Sequence, residues 1–229
     1  MKAVFFDVDF TLIFPGPRFQ ATGYQSFGAR YGLEMDTRRY AAAVAAAAVE
    51  LDVGDDASYQ AERFVRYARR VIREMGGRGP AIDACAQEIY DEWAACRHFL
   101  LYDDVKPILT QLHASGLRLG LISNTHRCLD AFGRHFGLDH VISGAVSSSE
   151  HGFMKPHHSI FEAALNQLGV DAEQAVMVGD SLTHDVAGAR QLGMRAVLLA
   201  RSGDAEVDDA NVPVIRSLTE LPTCLGATK

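Results

Sequence analysis

Two aspartates spaced two residues apart, Asp7 and Asp9, follow directly on an unbroken apolar run, Ala3-Val4-Phe5-Phe6. Such a run reads as a strand buried on both faces, as in the middle of a parallel sheet. Side chains at i and i+2 of a strand leave from the same face. The pair is therefore expected at the carboxyl end of a central strand, where open α/β sheets bind ligands. Two carboxylates this close repel each other and lose hydration if buried. Folding alone gives no reason to place them there; a bound cation does.

Three further polar signals also sit after apolar strands: Ser123-Asn124, Lys155-Pro156, and Gly179-Asp180 with Asp185 five residues beyond. Each has a plainer reading on its own. Asp7 and Asp9 can cap a turn, Ser123-Asn124 a helix, and Asp185 the helix that it opens. Gly179-Asp180 reads as a turn and Lys155 as a solvated loop residue. Strand ends of a parallel sheet converge on one crevice, however. There a nucleophile, a hydroxyl, an ammonium and further carboxylates would meet. Of the histidines beside these motifs, His151 and His184 read as surface or loop residues, and His126 as one that could touch a substrate.

The elements that must carry these residues alternate. Helices are expected at Val105–Ser115, Arg127–Phe136, Ser159–Leu168, Asp185–Leu192 and near Thr219. Strands are expected at Leu117–Ile122, Val141–Ile142, Ala175–Val178, Arg195–Leu199 and Val212–Ile215. The alternation implies right-handed crossovers and a doubly wound, mostly parallel, Rossmann-like sheet of the α/β class.

Phe14-Pro15-Gly16-Pro17 cannot continue regular structure and reads as a hinge or flap. From Phe19 to Phe99 the pattern is helical, with no convincing strand. Helices are expected at Ala21–Tyr31, Arg38–Leu51, Ser58–Met75 with Ser58 as N-cap, and Ala81–Arg97, the second broken by residues 52–56. The expected organisation is an α/β core over 1–15 and 100–229, with an inserted four-helix cap over 16–99. Arg63, Arg66, Arg70 and Arg73 form a stripe on the third helix. It reads as a solvated amphipathic face; the other reading points one or two arginines at an anionic substrate.

Composition narrows the function classes. At 229 residues the chain can hold one large domain, or a domain with an insertion. The net charge of −7 gives no support to a nucleic-acid partner. The first apolar run is too short for a signal peptide and is broken at once by Asp7. No apolar stretch approaches the about 20 residues that span a bilayer. The cysteines, Cys85, Cys96, Cys128 and Cys224, have no metal-ligand spacing and read as reduced thiols. A cytoplasmic protein with no membrane partner is expected, as monomer or homodimer.

The set Asp7-Val8-Asp9-Phe10-Thr11, Ser123, Lys155 and Gly179-Asp180 with Asp185 resembles, in that order, the haloacid dehalogenase superfamily of phosphotransfer enzymes. Its pattern is DxDxT, a hydroxyl after a second strand, a lysine, then GDxxxxD. The segment Ser148–Pro156 also looks like the lysine loop of members with a helical cap after the first motif. The resemblance covers residues 1–14 and roughly 100–215. Phe10 departs from it where many members have glycine, and His157-His158 where related sequences have Asp-Pro.

The resemblance implies a Mg²⁺-dependent phosphatase acting on a small phosphate ester. Mg²⁺, a hard octahedral ion, would be held by the Asp7 carboxylate, the Asp9 backbone carbonyl and the Asp180 carboxylate. Asp7 would be the nucleophile and form an aspartyl-phosphate. Asp9 would protonate the leaving oxygen and later deprotonate water. Ser123, Asn124 and Lys155 would hold the phosphoryl group, with Lys155 also keeping Asp7 ionised. Asp185 would orient Lys155 or a metal water, and Thr11 would fix the loop after Asp9.

A phosphomutase on the same residues stays open. A haloacid dehalogenase is disfavoured, because halide needs no proton donor and Asp9 and Asp180 would be idle. A phospho-receiver module is disfavoured by length, by the helical insertion and by Asp180 following Lys155. A catalytically dead scaffold would be expected to have lost Asp7 or Asp9.

Overall fold

A computed structural model describes residues 1–52, 54, 56–201 and 212–226. Val53 and Asp55 of the expected helix break lie outside the described residues. Among the described residues there are eight strands: β1 (Ala3–Phe6), β2 (Ile13–Pro15), β3 (Phe99–Leu101), β4 (Arg118–Ser123), β5 (Ile142–Ser147), β6 (Ala175–Gly179), β7 (Arg195–Leu199) and β8 (Val214–Ile215). The chain divides into two compact units, one of residues 1–14 with 101–229 and one of 15–100.

The first unit is built on a six-stranded sheet of order β5-β4-β1-β6-β7-β8. Every pairing in it is parallel, so all carboxyl ends point one way. β1 lies in the middle because Ala3, Val4, Phe5 and Phe6 are all fully buried. Only a strand covered on both faces can hide four successive apolar side chains. One covering layer packs Phe161, Ala164, Leu165 and Leu168 of helix His158–Leu168 against Phe5, Ile122 and Met177. Asp7 continues the ladder by one bond, its N–H donating to the Val178 carbonyl at 2.9 Å.

β5 is longer than expected, running to Ser147 rather than stopping at Ile142. Its sequence Ile-Ser-Gly-Ala-Val-Ser is too small and too polar to read as a strand. It is an edge strand, and small residues are needed there. A Cβ on Gly144 would lie 2.6 Å from Leu168 Cδ1. The expected helix Asp185–Leu192 is replaced by a wide turn, Leu182–Ala187, and a short helix, Gly188–Gln191. The Ser181 carbonyl accepts from both Asp185 N and Val186 N, at 3.0 and 3.1 Å, which widens the first turn.

The second unit is helical, with helices Ala21–Arg30, Tyr40–Ala47, Ala61–Glu74 and Ile82–Trp93. Against expectation, Ile13–Pro15 and Phe99–Leu101 are strands, and they pair with each other. Three residues at each end of a helical stretch are too few for an alternating pattern to emerge. Ser58 is not a helix cap: the helix starts at Ala61, because Asp56 turns the chain by accepting from Ser58 N at 3.0 Å.

One member of the arginine stripe is corrected. Arg66 and Arg70 lie on a solvated face, in exposed or half-exposed pairs with Glu50 and Glu74. Arg63 instead belongs to the buried face beside Val65 and Ala68, and donates to the carbonyls of Asp52 and Asp56. Its long side chain reads as polar in any pattern, yet here it pins the loop before its own helix.

Candidate active site

The carboxyl edge of the sheet gathers residues from four strand ends. Lys155 is 2% exposed, and its ammonium donates to three acceptors. They are Asp7 Oδ1 at 2.7 Å, Asp185 Oδ1 at 2.6 Å and the Ile122 carbonyl at 2.8 Å. An ammonium has three N–H donors, so this set is complete. Asp185 is equally committed, its Oδ2 accepting from Ser181 N at 3.0 Å. The wide turn after Ser181 is what brings Asp185 inward.

Gly179 makes room for that carboxylate. A Cβ there would lie 2.1 Å from Asp185 Oδ2 and 2.3 Å from its Cγ. Gly179→Ala must therefore displace Asp185 from Lys155. We expect kcat/KM to fall by about 10²-fold, as for an ångström-scale shift of a group that positions its neighbours. Steady-state kinetics on any turned-over substrate checks this; a variant within two-fold of the parent would contradict the geometry.

Asp7, Asp180 and Asp185 each offer a carboxylate oxygen within 4.8 Å of the others. Three acids facing one lysine leave a local excess of negative charge. A donor set of carboxylates only is the chemistry of hard cations such as Mg²⁺ and Ca²⁺ rather than of soft ones. These residues fit a divalent ion. Burial first, then the charges of Asp185 and Asp180, push the Asp7 carboxyl well above its ordinary value, with Lys155 pulling it back. Burial would lower Lys155, but Asp185 and Asp7 outweigh it and hold the ammonium charged. Asp180 reaches solvent with part of its surface. Even so, the packed sheet edge takes water from its carboxyl and Asp185 adds negative charge, and together they push it up to about 7.

A sign follows for pH. Above the ordinary value of 3.8 and up to about 7, the neighbouring carboxyls Asp180 and Asp7 favour the protonated form in the folded metal-free protein, whereas the unfolded chain loses those protons. Raising pH through that window lowers stability. A cation displaces the proton, so its stabilising effect grows over the same window. Melting curves from about pH 5 to 8, with and without Mg²⁺, should show the metal-free midpoint falling and the metal increment rising. A flat increment would contradict the shift.

Asn124 is placed differently from expectation. Its Oδ1 accepts from Lys155 N at 2.7 Å and its Nδ2 donates to Lys155 O at 3.0 Å. Both ends of the amide are thus spent on the backbone of the lysine loop, where the Lys155-Pro156 peptide is cis. Asn124 positions Lys155 rather than presenting its side chain to an anion. Ser123 ends β4 and is buried. Thr11 is buried, and its carbonyl accepts from Arg201 Nε at 2.9 Å, which ties down the loop after Asp9 through the backbone. His151 and His184 are half-buried and share hydrogen bonds with Ser159 and Ser181.

One residue was not singled out by the sequence. Arg127 is completely buried, and its two terminal nitrogens make three hydrogen bonds of 2.9 to 3.2 Å to the Asp9 carboxylate. A planar guanidinium fixes a carboxylate in direction as well as in place. Nothing in a polar loop after a strand distinguishes such an arginine from a solvated one.

A parallel α/β sheet thus gathers three carboxylates and a buried ammonium at its carboxyl edge, a donor set that fits a divalent cation. The whole-chain comparisons agree with that class. The family model "haloacid dehalogenase-like hydrolase" matches residues 1–193. A glyceraldehyde 3-phosphate phosphatase of Methanothermobacter thermautotrophicus is 28% identical, over 98% of this chain and 100% of that protein. Among solved structures, an HAD phosphatase from Thermococcus onnurineus is 26% identical with a TM-score of 0.68, covering 99% of this chain and 98% of that one. A 2-haloacid dehalogenase from Pseudomonas syringae is also 26% identical, with a TM-score of 0.65 and 99% of both chains covered. The chain belongs to the haloacid dehalogenase-like hydrolases. Among the described residues, no helix is long and apolar enough to cross a membrane.

Proposed function

We propose that this hydrolase is a Mg²⁺-dependent phosphatase of small phosphorylated metabolites, working through an aspartyl-phosphate on Asp7. The observation that carries the reading is the Lys155 ammonium bridging Asp7 and Asp185, 2.7 and 2.6 Å away, with Asp180 beside them. Relatives named as phosphatases support it. Four free cysteines are in keeping with a cytoplasmic setting.

Mg²⁺ would be held by the Asp7 and Asp180 carboxylates and the Asp9 backbone carbonyl, and supplies neutralising charge for an anion attacked by an anion. An Asp7 oxygen attacks phosphorus, and the bond to the leaving oxygen breaks as Asp9 gives that oxygen a proton. Water then attacks the same phosphorus, Asp9 takes its proton, and Asp7 is regenerated with release of phosphate. Ser123 and Lys155 stabilise the phosphoryl oxygens. Lys155 must release one of its three acceptors to do so. Arg127 fixes the direction of Asp9 and must release one of its oxygens before that carboxyl can carry the proton.

The likeness to a solved dehalogenase favours, as a second reading, displacement of halide from a substrate carbon by Asp7. That reaction gives Asp9 and Asp180 no task. The test is phosphate release from p-nitrophenyl phosphate with and without Mg²⁺. Metal-dependent release supports the phosphatase reading, whereas chloride release from a 2-chloroacid with no phosphate release would replace it.

A further inference from the structure

Phe10 stands between Asp9 and Thr11 with φ of +64°, the one non-glycine among the described residues in the left-handed region. A side chain there costs on the order of 1 kcal/mol or more, and an aromatic lacks the local hydrogen bonds that let Asn or Asp tolerate it. The loop imposes this backbone. Phe10 N donates to the Ile13 carbonyl at 2.7 Å, and Leu12 N and Ile13 N both donate to the Val8 carbonyl. Glycine would satisfy the same turn without strain.

Packing does not repay the strain either. Val8, Thr11, Leu12 and Ile13 are all fully buried, but the Phe10 side chain is 46% exposed. Among the described residues, the other exposed large apolar side chains of this unit show a pattern. Apart from the N-terminal Met1 they are Phe153, two residues before Lys155, and Leu182, two residues after Asp180. Thus each loop that brings a principal charged group to the sheet edge also exposes one large apolar side chain. The cations close by are engaged within the protein: Lys155 on two acids and a carbonyl, Arg127 on Asp9, Arg201 on Asp104 and the Thr11 carbonyl. Beyond the phosphoryl group, these loops offer apolar surface rather than positive charge.

We propose that Phe10 is a specificity-determining residue whose ring receives the part of the substrate beyond the phosphate, selecting monoesters with a planar or apolar leaving group over compact polar ones. The assignment rests on the phosphatase reading and adds a substrate class to it. A strained, exposed aromatic beside Asp9 gains packing when the ester is bound.

The test compares two alkyl esters of similar leaving-group chemistry, benzyl phosphate and glycerol phosphate, in the parent, Phe10→Gly and Phe10→Leu, with Mg²⁺ present. The selectivity ratio of kcat/KM, benzyl over glycerol, should fall about ten-fold in Phe10→Gly and by less in Phe10→Leu. The melting temperature of Phe10→Gly should meanwhile rise by about 2 to 4 °C as strain is released. An active parent whose ratio does not move on substitution would overturn the Phe10 assignment and leave the phosphatase reading intact. A parent that releases phosphate from neither ester nor from p-nitrophenyl phosphate would overturn both.

Discussion

Asp7→Asn should abolish turnover while leaving the fold intact or firmer. The amide oxygen can still accept from Lys155, so the hydrogen bond that now measures 2.7 Å survives. What disappears is the anionic oxygen that the proposed mechanism sends to phosphorus. Removing a nucleophile that acts with its partners as a unit costs on the order of 10⁴-fold or more in kcat. Stability should move the other way. Burial and two neighbouring carboxylates already disfavour the ionised Asp7. A neutral side chain of the same shape relieves that conflict, so the metal-free variant should melt at or above the parent's temperature. Calorimetry and phosphate release measured on one preparation check both signs. Full metal-dependent turnover by Asp7→Asn would remove Asp7 from the mechanism.

Lys155→Met should damage both properties. Methionine fills similar space but donates nothing, and Asp7 and Asp185 would then face each other in a buried site. Breaking a buried charge pair by removing one partner costs about 3–5 kcal/mol. The loss should shrink at lower pH, where the acids take protons, and shrink again when Mg²⁺ is added. Activity should fall about 10³-fold, because the charge that the proposed mechanism sets against the phosphoryl oxygens is gone. Lys155→Arg should not rescue it. Three converging acceptors at 2.6 to 2.8 Å suit a compact ammonium, whereas a guanidinium presents a planar fork. Urea unfolding at two pH values, with and without metal, separates the charge effect from lost packing. A Lys155→Met protein as stable as the parent at neutral pH would contradict the burial argument.

Much of this arrangement is legible in the chain itself, for reasons that can be named. β1, β4, β6 and β7 are continuous apolar runs buried in a parallel sheet, which leaves an unambiguous pattern. Asp7 and Asp180 stand out because each follows such a run, whereas Lys155 and Asp185 stand out only by their order in the motif set. β5 is hidden, since an edge strand packed under Leu168 has to be small. β2 and β3 are too short to show a period. Arg127 and Asn124 take their positions from tertiary contacts alone, the first burying a guanidinium on Asp9 and the second clamping the backbone of Lys155. Neither contact has a sequence spacing that betrays it. Phe10 is legible only as a departure from glycine. Its meaning depends on the positive φ, which the sequence does not display.

The central claim is that Asp7 becomes covalently phosphorylated during turnover. It is tested most directly by acid-quenching the enzyme at millisecond times with a 32P-labelled monoester and Mg²⁺, then mapping the label by peptide mass spectrometry. Label on the peptide that contains Asp7, removed by hydroxylamine and absent from Asp7→Asn, is the expected result. Turnover without any protein-bound label, with water attacking the ester directly, would contradict it.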